Sequence, residues 1–279
     1  MSLTSSVVDR VELLAQNHGK RLGYVAIAVL MFYLWAPIFV VTIMSFSPDA
    51  VLSFPPESLS LKWYGVLLND PAAISAIMTS LKVSVVVTPA TVVLATLISY
   101  AIDRYDFRSE SILKLLVTLP LIIPLIVVGI ALTMFFGLLG VGSGYWPIVI
   151  GHTVEALPFA TLIILPTLTS FDSKLEEASM DLGANEFETF VQVTLPNIFP
   201  GIFAGGLMAF TISFNEFVLT YFLKGSILNT LPTWIWAKLR HRATPEVNAA
   251  SVFFLLVAIL LILTAVSLTH VDRIAVQEE

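Results

Sequence analysis

Cysteine is absent from the 279 residues, which excludes disulfides, thiolate metal sites and cysteine nucleophiles in this chain. Charge is scarce. Only 12% of residues are Asp, Glu, Lys or Arg against 57% hydrophobic, a balance no soluble domain keeps. The net charge of −6 comes with no basic stripe, so nucleic acid is not an expected partner. No Gly-x-x-x-x-Gly-Lys-Ser/Thr loop occurs, which excludes ATP binding by that device. No catalytic constellation and no metal site is expected.

What the chain has in abundance is uncharged apolar sequence. Stretches free of Asp, Glu, Lys and Arg cover Leu22–Pro48, Val83–Ile102, Leu115–Val154, Ala156–Phe171, Thr189–Asn215 and Val247–Val271. Crossing a hydrocarbon core of ~30 Å takes about 20 helical residues. The run from Leu115 is broken by glycines at 137–144, and its second half joins Ala156–Phe171. The pattern predicts an all-α polytopic membrane protein with six spans, near 22–43, 75–102, 115–136, 146–170, 198–222 and 249–270. The first run is too long for a signal-peptide core and reads as a retained anchor.

Arg10, Lys20 and Arg21 precede the first span, and Arg104, Arg108 and Lys114 follow the second. Positive residues beside span ends favour the cytoplasm, which places both termini inside. The organisation expected is a cytoplasmic segment at 1–21, a first helix and outer segment at 22–74, a permease core at 75–270 and a cytoplasmic tail at 271–279. Trp63 and Tyr64 suit an outer interfacial anchor. Residues 231–242 carry Trp234 and Trp236 with Lys238, Arg240 and Arg242, an amphipathic pattern for the outer interface. Two readings fit it: contact with another protein, or an aromatic–basic anchor without one. Pro37, Pro89, Pro120, Pro124, Pro158 and Pro166 punctuate the spans, which fits kinked helices around a cavity and equally the general frequency of proline in membrane helices.

Few ionisable groups fall inside the spans, where each is costly. Lys82, Glu155 and Glu216 all come out ~9–14 Å below the outer surface at the helical rise. Glu155 or Glu216, beside Asn215 and His152, can face a translocation path for a cationic or polar solute. Alternatively the glutamates are structural interhelical partners and Lys82 snorkels outward.

Between the fourth and fifth spans lies a polar, acidic island at 172–196. Ser173 with Glu176 has the form of a capping box, Leu175, Ala178 and Leu182 share a face, and Gly183 suits a helix stop. Asn185 and Glu188 open a second short helix before Pro196. Asp172, Glu176, Glu177, Asp181, Glu186 and Glu188 face only Lys174, which suits a basic partner. Glu177-Ala178-Ser179, three residues, Gly183, nine residues, then Val193-Thr194-Leu195-Pro196 resembles the Glu-Ala-Ala loop of ABC-importer permeases, with Ser179 and Val193 as mild departures.

Ser213-Phe214-Asn215-Glu216-Phe217, Thr230-Leu231-Pro232 with Trp234-Ile235-Trp236, and Thr244 to Ala249 resemble the spermidine/putrescine branch of these permeases, in particular the second of its two permease subunits. The resemblance implies a type I importer of the bacterial or archaeal inner membrane. Its partners would be a second homologous permease subunit, two ATPase subunits that carry ATP and Mg, an extracytoplasmic solute-binding protein, and lipid. It implies no cofactor in this chain, and places Glu177, Ala178, Ser179, Gly183, Leu195 and Pro196 in the element that docks on the ATPase. Asn215 stands where the polyamine branch commonly has aspartate, which bears on the dication preference. An opine, organophosphonate, thiamine or ferric iron importer is the alternative. An ion-coupled secondary transporter would use Lys82, Glu155 and Glu216 as a relay but leaves the hairpin unexplained. A structural membrane scaffold accounts for neither kinked helices nor buried charges.

Overall fold

The computed structural model describes the backbone of residues 3–49, 53–226, 228–241 and 244–275, and the side chains among 20, 22–260, 263 and 264 of that set. It is helical throughout: α1 Leu3–Met44, α2 Lys62–Asn69, α3 Pro71–Arg104, α4 Glu110–Ile122, α5 Leu125–Leu138, α6 Tyr145–Thr169, α7 Lys174–Asp181, α8 Glu186–Thr189, a π turn at Phe190–Thr194, α9 Leu195–Asn215, α10 Val218–Leu223, α11 Leu231–His241 and α12 Pro245–Ala275. Among the described residues four helices are long and apolar enough to cross a membrane: Leu22–Met44, Pro71–Arg104, Tyr145–Thr169 and the continuous Glu186–Asn215.

Two expected spans are interrupted. The third is not one helix: α4 and α5 meet at 110°. Pro124 cannot donate a backbone hydrogen bond, and it pushes Ile123 into extended backbone (φ −80°, ψ 130°), which ends α4 there. The fifth, expected at 198–222, stops at Asn215. Glu216 is extended (φ −70°, ψ 125°), and the helix resumes only at Val218. The second and fourth spans match α3 and α6, and the glycine cluster at 137–144 separates α5 from α6 as the sequence predicts.

Helices α3, α6 and α9 form the centre. Lipid tails are as apolar as leucine, so helices associate in a bilayer through close packing of small residues rather than release of water. The contacts obey this. Ala95, Ala160 and Ala209 are fully buried, and a Cβ at Gly201 would run into the Thr167 side chain. At one end α2, α11 and the start of α12 close over the start of α3, with Trp63, Leu67, Ile77, Leu231 and Trp234 in the shared core. The opposite end, where α3 and α6 finish, carries α7 and α8.

Candidate functional site: an exposed hairpin and a buried polar cluster

The hairpin forms as its punctuation dictates. Gly183 closes α7 at φ +101°, where a side chain is strained, and Gly183 N–H donates to Met180 O (2.9 Å) while Ala184 N–H donates to Ser179 O (3.2 Å). The second helix opens with a complete capping box: Asn185 Oδ1 accepts from Glu188 N–H and Glu188 Oε2 from Asn185 N–H, both at 2.9 Å. Thr189 Oγ1 donates to Ser179 Oγ (3.1 Å) and ties the two helices together.

The expected Ser173–Glu176 box is not formed. Ser173 is helical and its side chain caps nothing, while Asp172 Oδ1 accepts from Lys174 N–H instead. Glu176 is occupied elsewhere. It is 6% exposed, and its carboxylate accepts from Arg104 Nε (2.7 Å) and from the Thr194 hydroxyl. Asp103, paired with Arg104, accepts from Thr169 Oγ1 (2.8 Å) at the end of α6. The sequence assigned Arg104 only a topological role, because no local spacing reveals a partner 72 residues away.

The hairpin tip is bare. Leu182 is 91% and Phe187 74% exposed, with Leu175, Glu177, Ala178 and Pro196 also exposed and Ser179 and Leu195 half-buried. Beyond the tip the chain passes into the π turn. Pro196 lacks the N–H of a regular ladder, and Leu195 N–H reaches back to Phe190 O.

Near the far end of α9 the sequence-predicted residues divide into three groups. His152, fully buried on α6, meets Ser213 Oγ through Nδ1 (3.0 Å) and Thr220 Oγ1 through Nε2 (2.8 Å), with Glu216 Oε2 at 3.3 Å. Glu216 is saturated: Oε1 accepts from Leu219 N–H (2.7 Å) and Oε2 from Thr220 N–H (2.8 Å), capping α10. A carboxylate at a helix N-terminus is electrostatically favoured, so this geometry explains the break in α9. Glu155, one turn beyond His152, is half-buried, and its Oε2 is buried with no hydrogen-bond partner. Lys82 is exposed and pairs with neither glutamate. Asn215 is exposed and lines two adjoining cavities of about 390 and 320 Å³ with Ser251 and Phe254.

At the α11 end the partner-contact candidates also separate. Trp234 is corrected to a core residue, 4% exposed and packed with Leu231 and Ile77, because α11 turns that face onto α3 and α12. Lys238 Nζ lies 5.0 Å from the Trp234 ring centroid and bridges Asp70 Oδ2 (3.1 Å) and Glu246 Oε2 (3.2 Å). Burial works against the Asp70 charge, but the Ala72 N–H and Lys238 outweigh it and hold its carboxyl below the ordinary range. Burial likewise disfavours the Lys238 charge, and the bonds to Asp70 and Glu246 overcome it, raising that ammonium. Trp236, 46% exposed, and Arg240 line an open pocket of about 360 Å³ with Tyr221, Lys224, Asn229 and His241. Arg242 lies outside the described residues.

Among the described residues no group of three His, Asp or Glu is placed to hold a metal ion. The described residues therefore present an exposed hairpin at one end and a buried polar cluster toward the other.

The family described as binding-protein-dependent transport system inner membrane component matches residues 92–274. Over 231 residues the chain is 32% identical to the putrescine transport system permease protein PotI of Escherichia coli (strain K12), covering 80% of this chain and 82% of that one. It is 29% identical over 233 residues to the spermidine/putrescine transport system permease protein PotC of the same organism, covering 84% and 88%. In fold it is similar to a chain of a bacterial ABC transporter involved in alginate import, with a TM-score of 0.72 at 17% identity over 93% of this chain and 98% of that one. The chain belongs to the binding-protein-dependent transport system inner membrane components, as a non-catalytic, multi-pass permease subunit of an ABC importer.

Proposed function

We propose that this chain forms half of the translocation path of an ATP-driven importer for a polyamine or a related small organic cation. A second homologous permease subunit completes the path, two ATPase subunits hold ATP and Mg, and an extracytoplasmic binding protein delivers the solute. The bent α4–α5 pair counts as the third span and α12 as the last, giving six crossings with both termini and the hairpin on the cytoplasmic side.

One observation carries the reading: the hairpin has an uncovered apolar tip on a base fixed by the part-buried Arg104–Glu176 pair. An exposed cluster such as Leu175, Leu182 and Phe187 is a binding surface when polar residues rim it, and Glu177, Asp181 and Glu186 do. Glu177, Ala178, Ser179 and Gly183 shape the surface that the ATPase grips, and Leu195 and Pro196 pass its movement into α9. On the path itself Glu155 is the better solute ligand than Glu216, since its Oε2 is unspent while both oxygens of Glu216 are committed. Asn215 adds a neutral polar lining, His152 is a structural partner of Glu216, and exposed Lys82 is no ligand for a cation. Trp236 and Arg240 face the binding protein.

The polyamine assignment rests on the named relatives, and the Asn215 position keeps another small solute as the second reading. Gly183→Asp tests the mechanical reading directly. It places a side chain at φ +101° on the gripped surface. The ATPase should no longer co-purify with the permease pair, and uptake of radiolabelled spermidine should vanish. A variant that retains both ends the proposal.

A further inference from the structure

At the hairpin end one carboxylate joins three elements that are distant in the chain. Glu176 on α7 accepts from Arg104, the last residue of α3, and from Thr194, the last residue of the π turn. Helices α6 and α9 are covalently continuous with the hairpin, through 170–173 and through the π turn, so a displaced hairpin reaches them along the backbone. Helix α3 has no such link. Its end is attached to the hairpin by side chains, namely the part-buried Arg104–Glu176 pair, the exposed Tyr105–Glu186 contact at 3.3 Å and the Tyr100–Phe190 ring contact, while Asp103 ties it to Thr169 of α6.

The sides of α3 do not supply what its end lacks. It packs on α6 and α9, with Ala95 against Ala160 and Ile164, and its small buried residues Ser84, Thr91 and Ser99 have hydroxyls with no hydrogen-bond partner. Such a contact resists separation but offers little against sliding along the helix axis. Toward α6 and α11 it has directional bonds of its own, from Thr169 to Asp103, Tyr145 to Lys82 O and Leu231 N–H to Ser80, but its charge-assisted bond to the hairpin is the one at its end. Breaking it leaves the buried Glu176 carboxylate without its cationic partner, which makes this joint stiff. Its third member sits in the π turn, an irregular turn of a kind frequent at functional sites.

We propose that the Arg104–Glu176 pair is a positioning joint that makes α3 travel with the hairpin, so that the three central helices answer the ATPase as one body. The proposal rests on the coupling role assigned to the hairpin above. Arg104 and Glu176 touch neither solute nor nucleotide; they act through α3.

The absence of cysteine permits a direct test. Spin labels at Arg108→Cys and Lys174→Cys, both exposed positions, report the separation between the end of α3 and the hairpin. The complete transporter in lipid nanodiscs is measured without nucleotide and after trapping with ATP and vanadate. In the chain with Arg104 and Glu176 intact the two states should give one distance. With Glu176→Gln the ATPase should still co-purify and hydrolyse ATP, but the distance should shift or broaden on trapping. Uptake of radiolabelled spermidine per ATP should fall by about tenfold, within the range of allosteric coupling energies. A separation that is the same in both states with Glu176→Gln overturns the joint. If that variant does not assemble, Arg104→Lys, which keeps the charge but not the guanidinium geometry, takes the same measurement. Loss of assembly in both makes the pair a folding element and also overturns it. Failure of the parent chain to bind any ATPase sinks the coupling role instead, and shows before either variant is made.

Discussion

The hairpin end and the break after α9 each bury a glutamate to the same degree, 6% exposed, and use it in opposite ways. Glu176 gives its oxygens to residues 72 and 18 positions away and so fastens separate elements together. Glu216 gives both to backbone N–H groups three and four residues ahead and fastens the chain to itself, with His152 as a side support. Burial therefore does not say what a carboxylate in a membrane protein is for; the location of its partners does. Glu155 is the third case, a half-buried carboxylate whose Oε2 makes no hydrogen bond.

The contrast breaks most visibly at Glu216. Glu216→Ala removes the acceptor for two buried N–H groups and the neighbour of His152, and should cost about 3–5 kcal/mol, the range for a broken buried network. The measurement is thermal unfolding of the detergent-solubilised permease, and a melting temperature like that of the parent chain would show that the cluster is not structural. Next comes the helix contact that both ends share. Gly201→Val drives a side chain into Thr167 and should destabilise the α6–α9 packing by about 1–3 kcal/mol in the same assay.

Glu155→Gln sharpens the comparison from the other side. Unfolding should move by less than about 0.5 kcal/mol, since no bond at the unpartnered oxygen is lost. Spermidine uptake should fall by about tenfold, equivalent to roughly 1.4 kcal/mol of lost stabilisation along the path. Normal uptake would take Glu155 off that path.

The smallest effect is at the α11 end. Asp70 has a lowered pKa, so its contribution is present above about pH 4 and is lost as pH falls through the depressed value. Lys238 has a raised pKa, so its share is present below about pH 10.4 and is lost as pH rises through the elevated value. Both groups are partly solvated, and Asp70→Asn should remove no more than about 0.5–1 kcal/mol together with the acid limb. An unaltered acid limb in Asp70→Asn would place that titration elsewhere.

Much of the fold was readable in advance because its determinants are local. Charge-free length marks α3 and α6, glycines mark the turn before α6, and Gly183 with Asn185 and Glu188 mark the hairpin. Two interruptions escaped for different reasons. Pro124 was visible, but Pro89 and Pro158 lie inside helices that continue, so proline alone does not tell a kink from a stop. The break at Glu216 had no sequence signal, since a glutamate in an apolar run reads equally as a ligand, an ion-pair member or a cap. Trp234 and Trp236 stand two residues apart with the same chemistry, and only the seating of α11 on α3 and α12 buries one and exposes the other.

The sequence by itself determined that the chain is a helical membrane protein with an acidic hairpin between its apolar runs, and its motif determined the importer class. Both follow from composition and short-range spacing, which survive without knowledge of packing. Only the tertiary structure decided which carboxylate keeps an oxygen without a hydrogen bond, which tryptophan is core, and that Arg104 meets Glu176. Those are pairings across the chain, and hydrogen bonds and desolvation depend on distances that linear order does not contain.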